Sequence, residues 1–449
     1  MSSEDTTVVE TALGPVVAHR DGDLWRARGI PYATAERYAR PSPATPWSEP
    51  FDASRRASVS PQHPDGLMAS VSPDYLERLG MDEQCQRVTV TWPAEPAPDA
   101  GDGSARGLPV VVWVHGGSYL TGGGDLDGFD PALLAREQRV IVVSVTYRLG
   151  LLGWVGGGDV PANLGLLDIL EALRWVRACA MSFGGDPTRI TAMGQSAGAD
   201  AIAALLTVPE ARGLFRRAIL QSAPLGIGGR RDAMYRTILR AVDRPERDGD
   251  LDIDRLHEAH ERTYAVARRH GLKGLMPLGP QWGHYPLPLE RERTAALEEA
   301  RDVDLMVGHM SDEGVLAGAA IPALGRAFRA PVVGGTVRRA TAGRLQEAVY
   351  ERSAARLVAS HREAGGRAVH YVLGWRATGS RIADGHGMDI PVLLGEPEAW
   401  VHAEALKKET PDRLRKIGAA LRQAWGDFIR DGEIAPASAT AASEWLTLS

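Results

Sequence analysis

The apolar residues of this chain gather in three short unbroken runs, Pro109–Val114 (PVVVWV), Val140–Thr146 (VIVVSVT) and Ile190–Met193 (ITAM). A strand with one wet face alternates apolar and polar positions. These runs do not, which predicts strands of a parallel sheet covered by helices on both faces. Between the second and third runs Leu166, Ile169, Leu170, Leu173, Val176 and Ala180 recur at spacings of three and four, the period of a helix, and FGGDP at Phe183–Pro187 stops the pattern. Ala199–Leu206 holds good helix formers and no Gly or Pro. Strand, helix, strand, helix is the order of a βαβ unit, so the expected architecture is α/β around a mostly parallel sheet. Further strands are expected at Arg217–Leu220, Asp304–Met310 and Ala368–Leu373, with helices at Ala342–Glu363 and Leu414–Ile429.

At 449 residues the chain is long for one domain, yet large α/β enzymes reach this size through insertions, and a single elaborated domain over 1–449 is expected. Residues 229–300 and 317–365 are its expected pocket-wall insertions. Gly101–Gly107 (GDGSARG) reads as an exposed turn, and the Ala- and Ser-rich tail from Ala435 is expected to fray.

Composition narrows the class. Hydrophobic residues at 44% and charged residues at 24% suit a globular core rather than disorder. Lys plus Arg at 51 against Asp plus Glu at 57 leaves a net charge of −6 with no polybasic run, so neither nucleic acid nor an anionic membrane is an expected partner. No basic-then-apolar leader and no stretch of about 18 apolar residues occurs, and a soluble cytoplasmic protein is expected. Two cysteines, Cys85 and Cys179, are too few for a disulfide framework or a metal site of their own, and Cys179 fits a small buried hydrophobe on a helix.

The candidate chemistry starts at Gly194-Gln195-Ser196-Ala197-Gly198, between the expected strand at Ile190 and the expected helix from Ala199. Two glycines allow a tight strand-to-helix turn that aims the serine hydroxyl out of the sheet's carboxyl edge, at a helix N-terminus favouring negative charge. In a chain with 50 glycines such a pentapeptide arises by chance in roughly a quarter of cases, so context decides. An acyl-transfer serine needs a base, a group to orient that base, and donors for the oxyanion. On such a sheet the chain order is serine, acid, histidine. Downstream of Ser196 and any intervening acid stand His361, His370, His386 and His402. The first two fall in a helical and a strand pattern and the last follows Trp400 in a helical stretch. His386 lies between glycines in ADGHGMDIP, on a loop able to reach the nucleophile. The strand Asp304–Met310 runs directly into Ser311-Asp312-Glu313-Gly314, and spacing does not choose between the two carboxylates. Oxyanion donors are expected from Ala197 and from His115-Gly116-Gly117-Ser118-Tyr119, which lacks the lysine and following helix of a phosphate loop.

Together with GIPYA at Gly29–Ala33, DEQC at Asp82–Cys85, VWVHGG at Val112–Gly117, TYRLGLLGW at Thr146–Trp154, NLGLLD at Asn163–Asp168, FGGDPTRIT at Phe183–Thr191, ILQSAP at Ile219–Pro224, SDEG at Ser311–Gly314 and GHGMDIP at Gly385–Pro391, these residues resemble the type B carboxylesterase family, bacterial para-nitrobenzyl-esterase-like members included. The resemblance runs over nearly the whole chain. It implies an α/β-hydrolase fold with Ser196 as nucleophile, Glu313 rather than Asp312 as acid and His386 as base. It further implies an oxyanion hole from the N–H groups of Gly117, Ser118 and Ala197, with Gly116 shaping the loop, and Ser222 as a hydroxyl steadying the acid. The implied activity is hydrolysis of a small-molecule carboxylic ester through an acyl-enzyme, with no metal or organic cofactor.

Four departures qualify that picture. Ser118 stands where the family commonly has a third glycine, as in its neuroligin branch, and its Cβ and hydroxyl are expected to narrow the hole or compete for the oxyanion, with modest turnover as the result. Ser60-Pro61-Gln62 replaces the cysteine that usually pairs upstream, which leaves Cys85 free. The stretch from Glu313 to His386 is shorter than usual, and a more open pocket is expected. No aromatic loop precedes Cys85, so choline esters are not favoured. Two alternatives accompany the esterase reading: a lactonase, thioesterase or cyclising acyltransferase with the same triad, and a non-catalytic neuroligin-like binding module.

Overall fold

A computed structural model describes residues 5–64, 69, 71–95, 107–319, 321–328, 330, 334–378, 385–401, 403 and 406–449. Eleven strands run in one path: β1 (Thr6–Thr11), β2 (Gly14–Asp21), β3 (Leu24–Pro31), β4 (Arg87–Pro93), β5 (Leu108–Val114), β6 (Ile141–Thr146), β7 (Gly185–Gln195), β8 (Arg217–Gln221), β9 (Asp304–Met310), β10 (Ala368–Leu373) and β11 (Leu446–Leu448). A two-residue strand, Phe51–Asp52, adds to β2 and makes a sheet of 12 strands among the described residues. The spatial order is β1-β2-β3-β4-β6-β5-β7-β8-β9-β10-β11. From β6 to β10 every pairing is parallel, while β1–β4 and β11 pair antiparallel. This is an α/β-hydrolase fold with a mixed, largely parallel sheet.

The unbroken apolar runs are explained by which way their side chains point. Along β5, Val110, Val112 and Val114 enter one hydrophobic core, which also takes in Leu166, Ile169, Leu170 and Leu173 of helix α1 (Leu164–Cys179). Val111 and Trp113 enter the other, with Leu414, Leu421 and Trp425 of helix α3 (Pro411–Asp431). Period-two alternation sends neighbours to opposite faces, and both faces are covered, so few positions are left for a polar residue, and those present, such as Ser144 and Thr191, are buried. Each fully buried valine contributes about 1.5–3 kcal/mol relative to exposure.

Two of the polar motifs prove to be structural. Arg148 Nε and Nη2 grip Asp168 at 2.9 and 2.7 Å, with both side chains buried, so TYRLG and NLGLLD brace β6 to α1. Asn163, buried and left-handed at φ 62°, accepts from Gln281 N at 2.7 Å and donates to Gln281 O and His284 O at 3.0 Å. It thereby fastens the 229–300 segment, which carries helices at Asp232–Ala241, Ile253–Ala267 and Arg293–Glu298, to the start of α1.

The strands at Asp304 and Ala368 have the expected bounds, and β7 extends the expected Ile190–Met193 on both sides. The helix expected from Ala342 begins earlier, at Gly334, and passes through a π-turn at Glu347–Glu351 before ending at Glu363. Two differences have physical causes. The apolar-run criterion passes over the four longer strands of residues 6–93: β1 and β2 at the sheet edge are partly solvated, and β3 and β4, though largely buried, interleave polar residues such as Arg26, Thr89 and Thr91. The tail does not fray: Pro436–Ala442 is helical and β11 pairs with β10, Leu446 opposite Leu373. Residues 101–106 of the expected GDGSARG turn, part of 317–338 and His402 lie outside the described residues. Among the described residues no helix is long and apolar enough to cross a membrane.

Candidate active site

Parallel strands deliver their carboxyl ends to one edge, so the loops after β5, β7, β8, β9 and β10 collect there. The turn after β7 is the tightest. Ser196 has φ 55° and ψ −121°, a region that costs on the order of 1–3 kcal/mol for a residue with a side chain. It is held by its N–H donating to Gln221 O on β8 at 2.8 Å and by helix α2 (Ala197–Leu205), whose Asp200 N–H donates to Ser196 O at 2.9 Å. Gly198 must lack a side chain, since a Cβ there would lie 2.1 Å from Val114 O.

The three separated side chains meet. His386 Nε2 is 2.7 Å from Ser196 Oγ, and His386 Nδ1 is 2.9 Å from Glu313 Oε2. The open choice of carboxylate is resolved: Glu313 is fully buried against the histidine, whereas Asp312 is half-buried. Glu313 Oε1 accepts from the Ser222 hydroxyl and from Met310 N at 2.7 Å. Burial opposes charge on His386, but the facing Glu313 outweighs it, with a smaller contribution from Asp389, and the imidazole pKa is raised above 6.5. His361 donates to Val303 O and His370 faces Ser449 Oγ, structural roles away from this cluster.

On the other side of Ser196 the loop after β5 is organised through its carbonyls. His115 Nδ1 donates to Gly116 O at 2.8 Å. Burial pushes this imidazole down to about 4, so it is neutral near pH 7. Gly117 O accepts from Leu120 N at 2.9 Å and Thr121 N at 3.1 Å. Because a trans peptide points its C=O and following N–H in opposite directions, anchoring the carbonyls of Gly116, Gly117 and Ser196 turns the N–H groups of Gly117, Ser118 and Ala197 away from those anchors. None of these three N–H groups has a partner among the described residues. Gly117, at φ 109°, is 2.0 Å from Thr121 O at the position a Cβ would take. Ser118 holds a left-handed φ of 55°.

Several residues that sequence reasoning left unassigned complete the site. Gln62 is saturated, accepting from Gly122 N and Tyr75 Oη at 2.8 and 2.9 Å and donating to Gly122 O and Ser60 O at 2.8 and 3.0 Å. The segment that replaces the family's cysteine thus clamps the far end of the loop after β5, and Cys85 and Cys179 are free and buried. Asp389, three residues after His386, accepts from Gln221 Nε2 at 2.5 Å; burial, then the Glu313 charge, push its pKa up to about 6. The GHGMDIP motif contained it, but nothing in the spacing marked it. Tyr350, on the π-turn, is buried with its ring 5.5 Å from that of His386, and no local pattern identifies it.

A serine joined through histidine to a buried carboxylate, at the carboxyl edge of a largely parallel sheet, defines a serine hydrolase of the α/β-hydrolase fold. The chain matches the carboxylesterase family over residues 5–326 and belongs to that family, type B; it is a serine carboxylesterase, a hydrolase acting on ester bonds. A probable N-octanoylanthranilate hydrolase of Rhodococcus erythropolis is 34% identical over 427 residues, 92% of this chain and 90% of the relative. Para-nitrobenzyl esterase of Bacillus subtilis is 33% identical over 69% of this chain and 63% of its own length. Phenmedipham hydrolase of Pseudarthrobacter oxydans is 30% identical over 95% and 90%. Among solved structures, a thermophilic para-nitrobenzyl esterase shares the fold with a TM-score of 0.78 at 24% identity, over 99% of this chain and 97% of that one.

Proposed function

We propose that Ser196 Oγ attacks the ester carbonyl while His386 Nε2 takes its proton, with Glu313 holding the imidazole in the tautomer that leaves Nε2 free to accept. The N–H groups of Gly117, Ser118 and Ala197 receive the oxyanion, and Gly116 shapes their loop. Protonated His386 then gives its proton to the departing alcohol; water enters by the same route and releases the acid. The observation that carries this reading is the 2.7 Å contact of Ser196 Oγ with His386 Nε2, continued by the 2.9 Å contact to Glu313. A binding-only module has no need of this relay.

Residues 229–300 and 317–365 wall the substrate pocket of a single domain in this reading, and two buried free thiols suit a reducing cytoplasm. The names of two relatives carry an aromatic unit, anthranilate and para-nitrobenzyl, which makes benzyl esters the first substrates to try, followed by N-acylated anthranilates, whose amide bond would send the His386 proton to a departing amine in place of an alcohol. The deciding experiment measures hydrolysis of para-nitrophenyl esters of increasing acyl length, with fluorophosphonate labelling located by mass spectrometry. Turnover, label on Ser196, and loss of both in Ser196→Ala by about 10⁵–10⁶ in kcat are expected. An unlabelled Ser196 with no turnover would defeat the reading.

A further inference from the structure

Tyr119 and Asp200 take no part in the relay, yet they join its two halves. Tyr119 follows Ser118 in the loop after β5, and both carry left-handed backbones, φ 62° and 55°. Two consecutive residues with side chains persist in that conformation only where their surroundings hold them. Tyr119 is held at three points, with its side chain fully buried. Its carbonyl accepts from Gly150 N at 2.7 Å, its ring centroid lies 4.0 Å from that of Trp154, and its hydroxyl donates to Asp200 Oδ2 at 2.8 Å.

Asp200 is the fourth residue after Ser196, one turn into α2, where its own N–H donates to Ser196 O. One residue therefore fixes the Ser196–Ala197 peptide through its backbone and the Ser118–Tyr119 segment through its carboxylate. A buried anion beside a helix start needs a compensating charge. Arg231 offsets part of that cost, although burial outweighs it and the Asp200 carboxyl pKa is raised; Arg231 is itself buried and oriented by donating from Nε to Ile227 O at 2.8 Å and from Nη1 to Leu278 O at 3.1 Å. The space for both is left by Gly279, where a Cβ would stand 2.7 Å from Arg231 Nη1 and 2.8 Å from the Tyr119 ring.

We propose that the buried Tyr119–Asp200 hydrogen bond is a positioning device for catalysis, tying the oxyanion loop to the nucleophile helix so that the Gly117 and Ser118 N–H groups keep their place relative to that of Ala197. This rests on the oxyanion-hole assignment above. Neither residue touches the reacting atoms. Their effect is on where the donors stand when charge develops, and a displacement of about 1 Å at such a site costs on the order of 100-fold in rate.

The test uses Tyr119→Phe, which removes one oxygen and keeps the ring, Asp200→Ala, and the double variant. For Tyr119→Phe, kcat on the best para-nitrophenyl ester is expected to fall about 10- to 100-fold, with KM within about twofold. Affinity for a trifluoromethyl ketone analogue of that ester should fall by the same factor as kcat, while inhibition by the product carboxylate stays unchanged. The double variant should lose no more than the worse single one, since both cut the same bond. Thermal melting of every variant separates folding from positioning; if Asp200→Ala does not fold, the Tyr119→Phe comparison of ketone with product still decides. A lowered melting temperature with unchanged kcat and ketone affinity would overturn the proposal, as would equal loss of ketone and product binding. No turnover in the unsubstituted enzyme would instead bring down the catalytic reading on which the proposal stands.

Discussion

The two flanks of Ser196 are built from different materials. On the histidine side the working parts are ionisable side chains, Glu313 and His386, with Asp389 close behind. On the side of the proposed oxyanion hole they are backbone amides, set by carbonyl anchors and left-handed dihedrals, and the imidazole among them, His115, is neutral near pH 7. The first flank stores its order in charge and responds to pH. The second stores it mainly in strain and hydrogen bonds, with the buried Asp200 carboxylate that accepts from Tyr119 among them. A site that must both move a proton and hold a fixed array of dipoles gains from keeping the two apart, because protonation on one flank then leaves the geometry of the other unchanged.

The largest break in that comparison is Glu313→Gln. The amide keeps the shape, but its NH₂ group can hold Nδ1 in the wrong tautomer, and kcat is expected to fall on the order of 10³–10⁴ in steady-state assays. Removing the negative charge also lowers the histidine pKa, so the acid limb of the residual kcat/KM profile should move to lower pH. In the unsubstituted enzyme the sign is opposite: His386 binds its proton more tightly than a free histidine, and that limb is expected above pH 6.5. His115→Phe attacks the other flank. Phenylalanine preserves the stack on Tyr147, whose ring centroid is 4.5 Å away, but loses the donor to Gly116 O, and kcat should drop about 10-fold with no movement of the pH profile. A shifted midpoint would show that the flanks are coupled after all.

Smaller effects sharpen the boundary. Asp389→Asn removes a carboxylate that helps hold the proton on His386, so the acid limb should shift downward by less than about one unit, with kcat at its plateau nearly constant. Ser118→Gly should show the least change. Glycine accepts φ 55° without strain, and melting temperature and kcat are expected to rise slightly, by no more than a few-fold in kcat; a fall would mean that the serine side chain contributes to the site.

Much of this was written in local pattern. The runs at β5, β6 and β7 announced buried parallel strands because both faces of those strands are covered, and GQSAG announced its turn because two glycines there are a steric necessity. The chain order of serine, acid and histidine narrowed the base to one loop. Local pattern failed where the deciding contact is made far along the chain. The antiparallel strands of residues 6–93 lack the unbroken signal, two because they sit at a partly solvated edge and two because polar residues interrupt them, and the Ala- and Ser-rich tail is ordered by pairing with β10, which its composition does not foreshadow.

The amino-acid order alone determined the sheet's parallel core, the nucleophile turn and the residue types of the relay, since each depends on contacts among near neighbours or on backbone freedom at a named residue. Tertiary structure decided how Glu313, already implied as the acid by the family resemblance, comes to face His386, that Gln62 clamps Gly122, and that Tyr119 reaches Asp200. Those pairs are separated by 73, 60 and 81 positions, and a hydrogen bond of under 3 Å between such residues exists only after the sheet has brought its strand ends together.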